Sequence, residues 1–300
     1  MMTSFARLRP LLAASVLFAT AMGARVKAEE TIWSGTSAGY AIRWTTGDIE
    51  ARRDGQKQTV FSARDWAKAG LAHFIAANRA GGEKTPDCGL RHGIIVLAVV
   101  GTMLSLEDHV EFTCRQEAHP GGMTRLLTLD LAASGPLAQA GRDAIGRVDP
   151  RRPGRAVLLN RLFPAADVRT ALAAAPPLRD VLRRNGAEPA NLPDLVDTVA
   201  EANGEGDTCY MVPPDLLAAF AFDRLEGERL VMRLGLPGDG PCRMNLTTAD
   251  LSFPLPETLA PAVRRADSGQ EGFFAAHGER LSAGRVTTII LRSGRGAGSP

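Results

Sequence analysis

The sequence predicts an α+β fold, an antiparallel sheet with helices inserted in the middle of the chain and held by disulfides. Strand-like runs lie on both sides of a helical centre. No regular alternation of strand and helix marks a doubly wound sheet, and an even number of cysteines follows an N-terminal export-type leader.

Taken in order, Tyr40 to Trp44 (YAIRW) alternates as a strand does, and Asp48 to Arg52 follows as a second run. Ser62 is placed as the N-cap of a helix over ARDWAKAGLAHFIAANRA. There Trp66, Ala69, Leu71, Phe74 and Ile75 recur near helical spacing, and Gly81-Gly82 closes it. From His92 the chain turns apolar and β-branched (HGIIVLAVVGTML), and past the turn formers around Gly101 a consecutive antiparallel strand continues with alternation through Val110, Phe112 and Cys114. Met123 to Ala132 is the next strand, joined through the His119-Pro120-Gly121-Gly122 turn. Pro164 to Ala175, Pro177 to Asn185 and Pro193 to Asn203 each open on a proline, which a first helical turn tolerates. GDTCYMV is expected to return to strand. Leu217 to Phe222 and Arg229 to Leu236 flank Glu226-Gly227-Glu228 as a hairpin. CRMNLTTADLSFPLP carries another strand, Pro256 to Arg265 a short helix and Val286 to Arg292 a last strand.

Residues 1–28 have the form of an export signal: Arg7 and Arg9, then the apolar stretch Leu11 to Met22, then small residues with cleavage after Ala24 or Ala28. An uncleaved anchor is the competing reading, although the stretch falls short of the roughly 20 apolar residues of a spanning helix. The expected organisation is a signal over 1–28, an α+β segment over 29–90, a domain over 91–292 that can form one unit with it, and a disordered tail over 293–300. The whole chain has 35 basic and 33 acidic residues. Without the leader's Arg7, Arg9, Arg25 and Lys27 the balance is 31 against 33, or −2, so nucleic acid has no basic footprint to bind. Cys88, Cys114, Cys209 and Cys242 allow three connectivities. Cys88–Cys114 with Cys209–Cys242 is favoured because each pair brackets neighbouring strand candidates. Zinc is the rival reading, but there is no Cys-x-x-Cys and no nearby Cys/His cluster. No metal and no cofactor is expected.

Gly35-Thr36-Ser37-Ala38-Gly39 spells the Gly-x-Ser-x-Gly of a nucleophile elbow. An elbow needs a strand before the serine and a helix after it. Here a strand follows, so Ser37 is read as a turn residue and a serine hydrolase using Ser37 stays the alternative. Asp108 and His109 can imitate the rest of a triad, yet two adjacent residues rarely line up behind one serine. Glu107 and Asp108 on one strand point to opposite faces and do not share a substrate. Glu201, Glu205 and Asp207 lack the regular donor spacing of a calcium loop. His119, in its Pro-Gly-Gly turn, is the histidine best placed to touch a ligand.

From about residue 95 to 260 the layout resembles the domain shared by the lysozyme-sensing anti-sigma factor RsiV and the peptidoglycan deacetylase PdaC. The segments that carry the resemblance are GTMLSLEDHVEFTC with Ser105-Leu106, AHPGGMTRLLTLDLAASG, AVLLNRLFPAADVRTAL, the hairpin FAFDRLEGERLVMRLGLPG and the closing LTTADLSFPLPETL. The sequence departs from the family in placing Gln116-Glu117 before Ala-His and in lacking the tyrosine-proline of the late hairpin. No deacetylase domain accompanies the match. The resemblance implies a non-enzymatic periplasmic or secreted binding protein whose ligand is a peptidoglycan fragment or a lysozyme-type muramidase. The expected ligand contacts are His119, Gly121 and Gly122. An envelope scaffold or assembly factor is the remaining alternative.

Overall fold

The computed structural model describes residues 29–56, 59–80, 88–114, 121–134, 155–202, 209–238, 242 and 245–292. Residues 1–28, read as an export signal, residues 293–300, read as a tail, and His119 lie outside the described residues.

The chain begins with a four-stranded meander, β1 (Thr31–Ser37), β2 (Tyr40–Thr45), β3 (Ile49–Arg53) and β4 (Thr59–Ser62). Tyr40, Ile42 and Trp44 alternate inward along β2, and Trp44 is completely buried. Helix α1 (Ala63–Ala80) starts where the Ser62 hydroxyl accepts a hydrogen bond from the Asp65 amide at 3.2 Å. The central sheet has the order β11-β5-β6-β7, from β5 (Cys88–Val100), β6 (Met103–Cys114), β7 (Gly121–Asp130) and β11 (Thr287–Arg292). β5 runs through residues 90 and 91 without a break. The third sheet, β10-β9-β8, combines β8 (Phe220–Glu226), β9 (Arg229–Pro237) and β10 (Leu246–Pro254). Among the described residues four α-helices come between β7 and β8, namely α2 (Leu159–Leu162), α3 (Ala165–Ala174), α4 (Pro176–Arg184) and α5 (Leu192–Glu201). Then α6 (Ala260–Asp267) and α7 (Ala275–Ser282) precede β11. Every pairing within the three sheets is antiparallel, so the fold is α+β with helices inserted in mid-chain.

One face of the central sheet packs on the meander and α1 through Ile94, Leu106, Val110 and Leu127 against Ile42, Trp44 and Ile49. The other face meets β8. Both faces are therefore covered, which is why β5 reads as an apolar run rather than as an alternation. A second core joins the third sheet to the helices through Leu172, Leu178, Leu195, Phe222, Leu234 and Phe253. Buried hydroxyls stitch the central and third sheets together. The Phe222 amide donates to Ser105 Oγ at 3.1 Å, Ser105 and Thr128 hydroxyls bond at 2.8 Å, and Thr128 donates to the Phe220 carbonyl at 2.8 Å. With Ser105 donating to Thr128, every hydroxyl hydrogen in this relay has an acceptor, so the polar groups are buried without an unmet bond. Ser105 of the quoted Ser-Leu pair thus faces β8 while Leu106 faces the first core.

Disulfides join Cys88 to Cys114 across the β5–β6 pair, and Cys209 to Cys242 beside the third sheet. Among the described residues no helix is long and apolar enough to cross a membrane. The disulfides are compatible with an extracytoplasmic protein.

Several elements differ from expectation. Residues 209–212 are not a strand; the segment is held beside β9 by the Met211 amide bonding to the Pro237 carbonyl at 2.8 Å. β1, β4, α2 and α7 have no counterpart in the sequence reading, because each is short or carries its pattern over too few residues to show a period. The apolar run from His92, by contrast, divides where its turn formers predict, into β5 and β6 joined by a turn at Gly101-Thr102.

Candidate functional site

A groove of about 620 Å³ opens where β1, β8, the α6–α7 connection and α7 converge, lined by Trp33, Asp223, Arg224, Gln270, Phe273, His277 and Arg280 among others. Its volume lies in the range of small-molecule sites. The aromatic wall is built by close approach. On β1 the half-buried Trp33 folds its indole over Gly35, where a Cβ would stand 2.5 Å from the ring. Gly35 of the serine pentapeptide therefore serves as a shelf for an aromatic ring. Phe273 is tied to the end of β5 by reciprocal backbone bonds with Val99 (2.9 and 3.0 Å) and meets Trp33 edge-on, with ring centroids 5.0 Å apart. His277 follows at 5.4 Å from Phe273. Arg280, one turn further along α7, places Nη2 3.3 Å from His277 Nδ1. α7 reaches this position because Gly278 lies against β5 at its bulge, between Val96 and Ala98.

The opposite wall is charged. Asp223 is buried and bonds Arg224 through Oδ2 and Arg233 through Oδ1 at 2.5 Å, and Arg233 continues to Glu279. Hydrogen bonds to Asp250 and then Glu226 raise the Arg224 pKa, with Asp223 adding to them against partial burial. Burial acts to lower the Arg233 pKa, but the bond to Glu279 and the charge of Asp223 reverse the sign. Burial raises the Glu107 carboxyl; Arg233 opposes it, Glu279 reinforces it, and His109 opposes it. Glu107 accordingly faces the third sheet.

Asp108 faces the other way. It is fully buried, bonded to His92 Nε2 and to Arg125 Nε at 2.8 Å, beneath the Trp66 ring of α1. His92 Nδ1 is buried there without a hydrogen-bond partner among the described residues. The three side chains of this cluster are buried in the core.

The Ser37 hydroxyl is buried at the end of β1, before the Ala38-Gly39 hairpin turn, and donates to the Gly101 carbonyl at 2.8 Å. Asp108 stands five residues beyond Met103, about 17 Å along the strand. His109 is turned to the opposite face, with Nδ1 2.8 Å from Thr124 Oγ1. These three do not assemble. Ser37→Ala is expected to lower stability by about 1–3 kcal/mol, because it leaves a buried carbonyl unpaired. Wild-type protein is expected to remain unlabelled by a fluorophosphonate probe; strong labelling that disappears in Ser37→Ala would reverse the assignment.

Gly121 and Gly122 open β7, paired with Phe112 and Glu111. They stand at the end of the central sheet opposite to the groove, where a hollow of about 360 Å³ is lined by Gly89, Arg91, Thr113 and Leu291 among others. Glu205 and Asp207 lie outside the described residues. Among the described residues no group of three or more His, Cys, Asp or Glu side chains is arranged to hold a metal ion. A second hollow, of about 330 Å³, is lined by Glu29, Asp48 and Arg64, but Asp48 bonds the Ser62 hydroxyl and the Arg64 amide while Glu29 pairs with Arg64. No protein-family model, curated protein or solved structure matches the chain.

Proposed function

We propose that this protein is an exported, non-enzymatic binder of a cell-envelope saccharide, a peptidoglycan fragment, and that the groove at Trp33 is its site. The observation carrying the reading is the aromatic row Trp33–Phe273–His277 beside a charged wall in one concavity. An indole face takes the apolar face of a sugar ring, while neighbouring polar groups take its hydroxyls and amides. The two disulfides and the RsiV-like layout support an envelope setting. A lysozyme-type muramidase fits a narrow groove less well than a sugar does, since protein partners engage broad surfaces.

Calorimetric titration of the purified, disulfide-intact protein with soluble peptidoglycan fragments is expected to give saturable binding. Trp33→Ala should weaken it roughly 10- to 100-fold, as loss of an aromatic anchor does. Binding that survives Trp33→Ala would remove the groove as the site. Binding of a muramidase but of no saccharide would replace the ligand class.

A further inference from the structure

Resting on the saccharide reading above, we infer that the groove selects a sugar bearing a carboxylate: an ether-linked lactyl acid, as on muramic acid, in preference to a neutral N-acetylglucosamine chain. The inference comes from how the arginines around the groove are engaged. Arg224 is held by Asp223, Glu226 and Asp250, and Arg233 by Asp223 and Glu279. Arg265 pairs with Glu271, and Arg285 with Glu30. Arg280 differs. No carboxylate among the described residues pairs with it, and its bond is to the ring nitrogen of His277.

That bond orients the side chain. A guanidinium has five N–H donors in a planar fork, and one of its nitrogens directed at an imidazole leaves the others for an acceptor. A carboxylate matches two of them side by side. His277 also links this cation to the aromatic row, so the acid is expected on a substituent of the ring that rests on Trp33, within reach of Arg280 along α7.

The groove also carries an acid of its own that pairs with no arginine among the described residues. This is Asp267, exposed at the end of α6. Its charge repels a ligand placed with its carboxylate toward α6. Arg280 and Asp267 together therefore give the groove a polarity that a neutral sugar cannot sense and an acidic sugar can. The arrangement favours one direction of binding for the ligand, with its acid toward α7.

Three ligands test this by calorimetric titration at about 50 mM salt, where an exposed charge contact is least screened. They are the disaccharide of N-acetylglucosamine and N-acetylmuramic acid, the same disaccharide with its lactyl acid converted to the amide, and neutral chitobiose. The free acid is expected to bind about tenfold more tightly than its amide, the effect of one charge-assisted contact. Arg280→Gln is expected to bring the free acid down to the affinity of the amide, and the exposed position keeps the variant's thermal midpoint close to wild type. Equal affinity of acid and amide for the wild type, or a preference that persists in Arg280→Gln, overturns the inference while leaving the saccharide reading in place. Failure of all three sugars to bind removes the saccharide reading and this inference with it.

Discussion

Replacing Asp108 with alanine is expected to destabilise the protein by roughly 3–5 kcal/mol, a large part of the roughly 5–15 kcal/mol that holds an ordinary domain together. The carboxylate is fully buried between His92 and Arg125, both also buried. The three residues come from β5, β6 and β7 and share the face covered by α1. Asp108 lies directly opposite Arg125, and His92 lies opposite Val110, two residues further along β6. Removing the carboxylate leaves a guanidinium and an imidazole under Trp66 without their shared acceptor. The penalty comes from burying those groups without that carboxylate more than from the lost attraction. The same residue sets an acid limit. Burial pushes the Asp108 carboxyl up, but the charges and hydrogen bonds of His92 and Arg125 outweigh it and hold the pKa at about 2, below the ordinary 3.8. A depressed folded pKa gives stability that is present above the unfolded value and lost as pH falls from about 3.8 toward about 2. Glu107 acts with the opposite sign. Its raised pKa makes its contribution greatest at low pH and smaller once pH rises through its ordinary 4.5. Urea midpoints at pH 7, 4 and 2.5 should show wild type falling steeply over the last interval and Asp108→Ala low throughout. A variant within 1 kcal/mol of wild type at pH 7 would contradict the buried ion cluster (roughly the range of an exposed pair).

Gly278→Ala is expected to affect stability and binding together. A Cβ at this position would stand 2.4 Å from the carbonyl oxygens of Val96 and Leu97, which are backbone atoms of the core strand and cannot swing aside. An alanine in a helix ordinarily gains up to about 1 kcal/mol over glycine, from propensity and a less flexible unfolded chain. Here the clash wins, and a net loss of about 1–3 kcal/mol follows from forcing α7 away from β5. α7 carries both His277 and Arg280, so saccharide affinity should fall with the thermal midpoint. Unchanged midpoint and affinity would show that α7 is not seated on the bulge.

The strands with clean alternation, β2 and β6, and the proline-opened helices α3 to α5 were legible because their patterns repeat over enough residues to set a period. Ser62 was legible as a cap because its role depends only on neighbours in sequence. The cysteine pairing followed from the strands each pair brackets. The groove was not legible. Its residues run from Trp33 to Arg280, and only the packing of the meander and α7 against the central sheet brings them together. One local signal was present: Trp33 and Gly35 lie two apart on one strand and so share a face, the spacing that lets an indole lie on a glycine. The Gly-x-Ser-x-Gly string obscured it, because the eye goes to the serine and not to the first glycine. His119 stands out in sequence by its turn, whereas His277 lies on a short helix with no visible period, and only the fold sets Phe273 and Arg280 beside it.

The most direct test is a crystal structure of the protein soaked with the N-acetylglucosamine–N-acetylmuramic acid disaccharide. The expected result is a sugar ring against the Trp33 indole with its lactyl carboxylate on Arg280. Occupancy at the other end of the central sheet, beside Gly121 and Gly122, or an empty groove at saturating ligand would contradict it.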